Sequence, residues 1–256
     1  MKKTTVVLLV FAVVSALCFA QPVTEQSNEP KYVASTSWVA AIAELAGLDG
    51  VVTVAPANLK HPPEYEITAD DMANVVNAKL FMHAGYEKMM KTIGSAAQLD
   101  SDRIVKIKTT NTLENLYNMV DMLSKKAGTQ EEASKRFGKF QELVEDARER
   151  IAKSPNRDIE VYANTNQAEF ARDLGLNVVS TFGAGALTAA QIEEAHSKAY
   201  PLVIDNLHNP VASPISQVSP NSRILIWRNF PDHTGGNALY NVVKENLEML
   251  WGTGLF

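Results

Sequence analysis

Two stretches of this chain, 120 positions apart, spell the same helix entry: Ile67-Thr68-Ala69-Asp70-Asp71-Met72 and Leu187-Thr188-Ala189-Ala190-Gln191-Ile192. In the first, Thr68 and Asp71 stand in capping-box register, and the second matches it class by class. The surroundings repeat too. Lys31 to Ser37 reads as a strand, Trp38, Ile42 and Leu45 recur at helical spacing until Gly47, and Gly50 to Val54 is a second strand. A helix over Ala69 to Asn77 and a strand Lys79 to His83 follow. In the second half, Ile159 to Ala163 is a strand, Gln167 to Leu174 a helix stopped by Gly175, and Leu176 to Thr181 a strand. Strands that alternate with helices in this way need parallel pairing, so the chain is predicted to be α/β, with two similar parallel-sheet lobes. The repeat sets Leu202-Val203-Ile204-Asp205 on Leu80-Phe81-Met82-His83. His83 and Asp205 are thereby expected at equivalent strand ends.

Between the halves, Glu131 to Lys153 has no proline, and Phe137, Phe140, Val144, Ala147 and Ile151 alternate at steps of three and four. That pattern predicts one amphipathic helix roughly 34 Å long, with a solvated face carrying Glu145, Asp146, Arg148, Glu149 and Arg150. The expected organisation is a leader over 1–20, a first lobe over 21–128, a connecting helix over 129–155 and a second lobe over 156–256.

The leader reading rests on Met1-Lys2-Lys3, the apolar run Val6 to Val14, and Ser15-Ala16-Leu17-Cys18-Phe19-Ala20, with cleavage expected after Ala20. Leu17 stands where lipid-anchor processing takes a small residue, so export to the periplasm or the outer face of the membrane is preferred to an anchor on Cys18. Cys18 is the sole cysteine, and its removal leaves neither disulfides nor thiol ligands. Any metal must then be held by nitrogen and oxygen. Removing Lys2 and Lys3 leaves 22 of the 24 basic residues against 29 acidic ones, a net charge of −7 that argues against a nucleic-acid partner.

In open parallel sheets ligands collect beyond the carboxyl ends of the strands. Two facing lobes would bring Ser35, Thr36, Ser37, His61 and His83 towards Asn164, Asn166, Asp205, Asn206 and His208. His61 is followed by Pro62 and Pro63 and lies just before the capped helix, so its ring is expected to be held in place. Asp205-Asn206-Leu207-His208 sets a carboxylate and an imidazole three positions apart, and Asp232-His233 lies on the loop Phe230 to Gly236. His61, His83, Asp205 and His208 are candidate metal ligands, a nitrogen and oxygen set suited to zinc or manganese. Local roles compete with this one: His83 can be a lining residue, and Asp205 and Asn206 can organise the following turn.

A leader, two α/β lobes, one long connecting helix and the segment His61-Pro62-Pro63-Glu64-Tyr65-Glu66 together resemble the ABC-transporter substrate-binding proteins that capture zinc or manganese. Ala84-Gly85-Tyr86-Glu87 follows at family-like spacing, and Leu239 to Leu247 is similar to the family's last helix. The resemblance spans essentially the whole exported chain. It implies a metal site with His61 as first ligand. The other three ligands of the family fall near Lys108, Asn164 and Arg228-Asn229, none of which is a usual metal-binding side chain at neutral pH. An ammonium or guanidinium aimed into the cleft would repel a bare dication. His233, close to the family's fourth position, is the further candidate metal ligand that the resemblance implies.

The leading expectation is an exported solute-binding protein of an ABC importer. It would carry a zinc or manganese ion to a membrane permease and work as a monomer. The alternatives are the same fold binding a metal chelate or small anionic solute, through Lys108, Arg228, Ser35, Ser37, Asn164 and Asn166 with Trp38 or Tyr162 as an apolar wall, or an adhesion or structural protein that has lost metal binding. Enzymatic activity is not expected, since no nucleophile–base pair stands out and Gly183-Ala184-Gly185 is too short to mark a phosphate loop.

Overall fold

The computed structural model describes residues 31–96 and 99–256; the leader, Cys18 and the expected cleavage point lie outside them. The chain runs β1 (Tyr32–Ala34), α1 (Ser37–Leu45), β2 (Val51–Thr53), a 3₁₀ turn (Pro62–Glu64), α2 (Ala69–Asn77), β3 (Leu80–His83), α3 (Met89–Ala96), β4 (Ile104–Lys106) and α4 (Leu113–Ala127). The long α5 (Gln130–Lys153) leads to β5 (Val161–Asn164), α6 (Thr165–Asp173), β6 (Val178–Phe182), α7 (Ala189–Lys198), β7 (Leu202–Asn206), α8 (Ile215–Val218), β8 (Arg223–Trp227) and α9 (Ala238–Gly252). No described helix is long and apolar enough to cross a membrane.

Each half forms a four-stranded parallel sheet, in the orders β2-β1-β3-β4 and β6-β5-β7-β8, which are the same permutation. Ala34 pairs with Met82 and Ala163 with Ile204, so the next residues, His83 and Asp205, occupy equivalent strand ends. Both helix entries are capping boxes. Thr68 accepts from the backbone N–H of Asp71, whose carboxylate accepts from Thr68 N–H, and Thr188 and Gln191 do the same.

The period-two alternation of the strands sorts their side chains into separate cores. Tyr32, Ala34, Leu80 and Met82 join Val161, Ala163, Leu202 and Ile204 in one apolar cluster running through both lobes. Val33 and Phe81 turn the other way into a core private to the first lobe, as Tyr162 and Val203 do in the second. The predicted face of α5, Phe137 to Ile151, is buried in the shared core, so the connecting helix is a packed element and not a free tether. On its expected solvated face Glu145 and Glu149 bond Gln141 and Lys153 of the same helix, while two residues reach beyond it. Arg148 bonds the Asp173 carboxylate at 2.6 Å, and Arg150 lies 4.1 Å from the centre of the Trp251 ring.

The lobes are also joined polar group to polar group. Ser37 Oγ donates to the Pro231 carbonyl at 2.7 Å, Asn111 Nδ2 to the Asn229 carbonyl at 2.7 Å, and Leu113 N–H to the Asp173 carboxylate at 2.8 Å. Gly235 N–H donates to Glu44, whose carboxyl is pushed up by burial. The loop after β8 is thus strapped along α1 of the opposite lobe.

Candidate functional site

The ends of β3 and β7 show how each lobe builds its side of the cleft. Asp205 is 1% exposed, and its carboxylate accepts from Asn164 Nδ2 (3.1 Å), Asn206 N–H (2.8 Å), Val211 N–H (2.6 Å) and Ala212 N–H (2.7 Å). Four donors saturate both oxygens. Asp205 therefore folds the loop over 206–212, the local role open to it in the sequence, and that loop carries His208. In the first lobe the same task falls to Glu87, 3% exposed, which accepts from Ser35 Oγ and from the N–H groups of Ala84 (2.7 Å) and Gly85 (2.6 Å). Gly85 has φ +93°, and the Lys106 side chain crosses where a Cβ would stand, so only glycine fits this turn.

A second matched pair clamps the last strand of each lobe. Asn115 on α4 donates to the carbonyls of Lys108 and Thr110, at 2.8 and 2.7 Å. Asn246 on α9 donates to the Arg228 carbonyl at 2.7 Å and accepts from Arg228 N–H. This pairing escaped the sequence reading because a clamp needs an asparagine but no recognisable spacing to its partner.

A chamber of about 420 Å³ lies between the lobes, and His61, His208 and Asn229 share its wall with Thr36, Trp38, Lys60, Tyr86, Asn166, Asn206 and Phe230. His61 opens the 3₁₀ turn, with its ring exposed at the rim. His208 packs parallel to Phe230, centroid to centroid 3.6 Å, and Phe230 stacks on Trp38 at 5.5 Å. This column of rings crosses from one lobe to the other. His208 Nε2 is buried without a hydrogen-bond partner, and so is Oδ1 of Asn229, a residue 6% exposed. Burial depresses the His208 pKa to about 4, helped by the charge of Arg228 and offset only in part by the Phe230 backbone. The ring is neutral at pH 7, with a lone pair to offer.

The other candidates stand elsewhere. His83 does not line the chamber; it is half-buried beside Glu87 and Lys106, with Nδ1 unpartnered, and burial lowers its pKa. His233 is exposed and bonds Asp232, which also pairs with Arg228 at 2.7 Å. His233 and then Arg228 hold the Asp232 carboxyl down at about 2. Of the five candidates, then, the structure brings His61 and His208 together. Among the described residues no group of three or more His, Cys, Asp or Glu side chains could hold a metal ion.

The anion-binding set expected for the alternative cargo is also redistributed. Arg228 turns to Asp232, Lys108 is exposed away from the chamber, and Ser35, Ser37 and Asn164 are fully buried in structural bonds. Tyr162 is a core residue between Phe182 and Tyr200, not a cleft wall. Trp38 and Asn166 do line the chamber, and the cation on its wall is Lys60.

No protein-family model matches the chain, and no curated protein does. Solved structures do. The substrate-binding protein FpvC of Pseudomonas aeruginosa with a nickel ion superposes with a TM-score of 0.67 at 14% identity, covering 87% of this chain and 96% of that one. A manganese-bound periplasmic metal-binding protein of Candidatus Liberibacter asiaticus gives 0.63 at 16% identity, covering 88% and 99%. The laminin-binding protein of Streptococcus agalactiae, described as a bifunctional protein with adhesin and metal-transporting activity, gives 0.64 at 14%, covering 87% and 98%. The chain therefore has the bilobal α/β fold of metal-binding substrate-binding proteins. That agreement, at this identity, is one of fold.

Proposed function

We propose that this is an exported solute-binding protein of an ABC importer, which takes up a transition metal between its lobes as a complex with a small anionic co-ligand and passes it to a membrane permease. The observation that carries this reading is the pair of buried, unpartnered acceptors in one chamber, His208 Nε2 and Asn229 Oδ1, with His61 at the rim. A buried polar atom without a partner is costly, by about 1–3 kcal/mol, and a ligand that satisfies both recovers that cost.

The donors are an imidazole pair and an amide, all without charge when the rings are neutral. Zinc and manganese accept such nitrogen and oxygen ligands. A dication held by neutral donors keeps its full charge in a poorly solvated cleft, which is expensive. The one carboxylate on the wall, Glu64, is exposed. A negatively charged co-ligand would neutralise the metal, complete its coordination and be drawn by Lys60. The volume agrees, since about 420 Å³ is far more than an ion needs and falls within the range of small-molecule sites.

Calorimetry on metal-stripped protein tests this with Zn²⁺ and Mn²⁺, each alone and as its citrate complex. Sub-micromolar binding of the complex, weaker binding of the bare ion, and loss of both in His208→Ala are expected. Equal or tighter binding of the bare ion would return the cargo to a naked metal, and no heat in any arm removes metal capture altogether.

A further inference from the structure

The chamber of His61 and His208 is not the whole cleft. Trp38, Tyr86 and Asn166 are shared with a second chamber of about 280 Å³, whose wall adds Thr109, Thr110, Asn111, Thr165, Gln167, Glu169 and Phe170. These polar residues divide into two groups. Asn111 and Gln167 are consumed within the protein: Asn111 accepts from Trp38 Nε1 and donates to the Asn229 carbonyl, while Gln167 donates to Asn206 and to the Trp227 carbonyl. They fix the shape of the wall. The Thr110 and Thr165 hydroxyls and the Asn166 amide make no side-chain hydrogen bond to the described protein, and all three face the second chamber. They can donate to or accept from a ligand.

The chemistry of the two chambers differs accordingly. The first offers metal donors and Lys60; the second offers hydroxyl and amide groups between aromatic rings, and its only charged side chain is the exposed Glu169. An anionic group gains nothing there, and a naked metal finds no nitrogen donor. A neutral body with amide or hydroxyl groups can satisfy the free side chains and cover Trp38 and Phe170.

We infer that the cargo is a metal complex of an elongated chelator: the metal and its anionic donors lie in the first chamber, and an uncharged amide- or hydroxyl-bearing body lies in the second, against Trp38 and Tyr86. This rests on the metal-complex reading above and names the class of chelator. Tyr86 stands where the two chambers meet. It is 56% exposed, belongs to both walls, and is held by a 3.1 Å bond between its hydroxyl and that of Thr109.

The experiment compares binding of zinc alone, zinc–glycine, zinc–diglycylhistidine and metal-free diglycylhistidine to the full exported chain, in wild type, Thr165→Ala, Thr110→Ala/Thr165→Ala and His208→Ala; Thr110 and Thr165 line the second chamber and not the first. Affinity should rise at least tenfold from zinc–glycine to zinc–diglycylhistidine. Both second-chamber variants should remove that gain while leaving zinc–glycine within threefold of wild type. Two results overturn the inference: no gain with the longer chelator, or a gain that persists in both second-chamber variants. Failure of the metal reading looks different, because metal-free diglycylhistidine would then bind as well as its zinc complex and His208→Ala would not matter. Circular dichroism of each variant separates loss of a contact from loss of fold.

Discussion

The two lobes answer the same structural problem with the same two groups in opposite order. At the end of β3 the strand terminates in an imidazole, His83, and a carboxylate four residues on, Glu87, folds the turn. In β7 the carboxylate, Asp205, stands at the equivalent position, and an imidazole three residues on, His208, is carried out to the cleft. A buried carboxylate that gathers backbone N–H groups organises a loop, and whatever that loop carries is placed with it. The first lobe uses its carboxylate on a turn that leaves His83 beside Lys106; the second uses it on a loop that brings His208 to the chamber wall. Pseudo-equivalent positions therefore need not have equivalent functions.

The largest expected effect comes from breaking the second lobe's carboxylate. Asp205→Ala strands four donors, three of them buried, and should cost roughly 4 kcal/mol in urea unfolding, with cargo binding lost as the His208 loop loosens. Glu87→Gln should cost about 2 kcal/mol yet leave affinity within threefold; an affinity loss as large as that of Asp205→Ala would erase the distinction between the lobes. Next are the imidazoles. His208→Ala should weaken metal-complex binding at least 100-fold, beyond the roughly 10–100-fold typical of a merely supporting partner, and His83→Ala should leave it unchanged by calorimetry.

The pH dependence sharpens the same contrast. His208 has a folded pKa of about 4, below its ordinary value of 6.5, so between these limits the unfolded chain binds a proton that the folded one does not. Its contribution is complete above pH 6.5 and is lost as pH falls towards 4. About 2 kcal/mol of stability should disappear across that window, after allowance for partial exposure, and the loss should be smaller in His208→Asn. His83, whose pKa is lowered in the same direction, accounts for part of what remains. The smallest effect belongs to the exposed pair at the loop after β8. Asp232→Asn should cost under about 1 kcal/mol and leave cargo affinity unaltered, and a marked affinity loss would bring His233 back as a ligand.

Much of the fold could be read in advance, because its signals are local. Thr68 with Asp71 starts a helix wherever it occurs, and Phe137 to Ile151 marks a buried face by spacing alone. The duplicated helix entry then located β7 against β3, and the observed registers agree. The site was legible only in part. His61 and His208 carry residue types that suggest a ligand, and both reached the chamber. Asn229 stood at the expected position of a late ligand, but the amide gives no sign in sequence of whether its oxygen is free. The expected sites of Lys108 and Arg228 were anticipated near the cleft, yet side-chain direction and ion pairing took them elsewhere.

The sequence by itself determined the α/β class, the doubled plan, the long packed helix and the strand-end position of His83 and Asp205, since each follows from periodicity, capping or internal repetition within one segment. The tertiary structure alone decided that Asp205 is consumed by four hydrogen bonds, that His208, Phe230 and Trp38 stack across the cleft, and that His83 is left out of the chamber. The physical reason is that a ligand is defined by what its lone pairs have left to bind. That balance is settled by donors brought together from both lobes, at separations along the chain that no local pattern encodes.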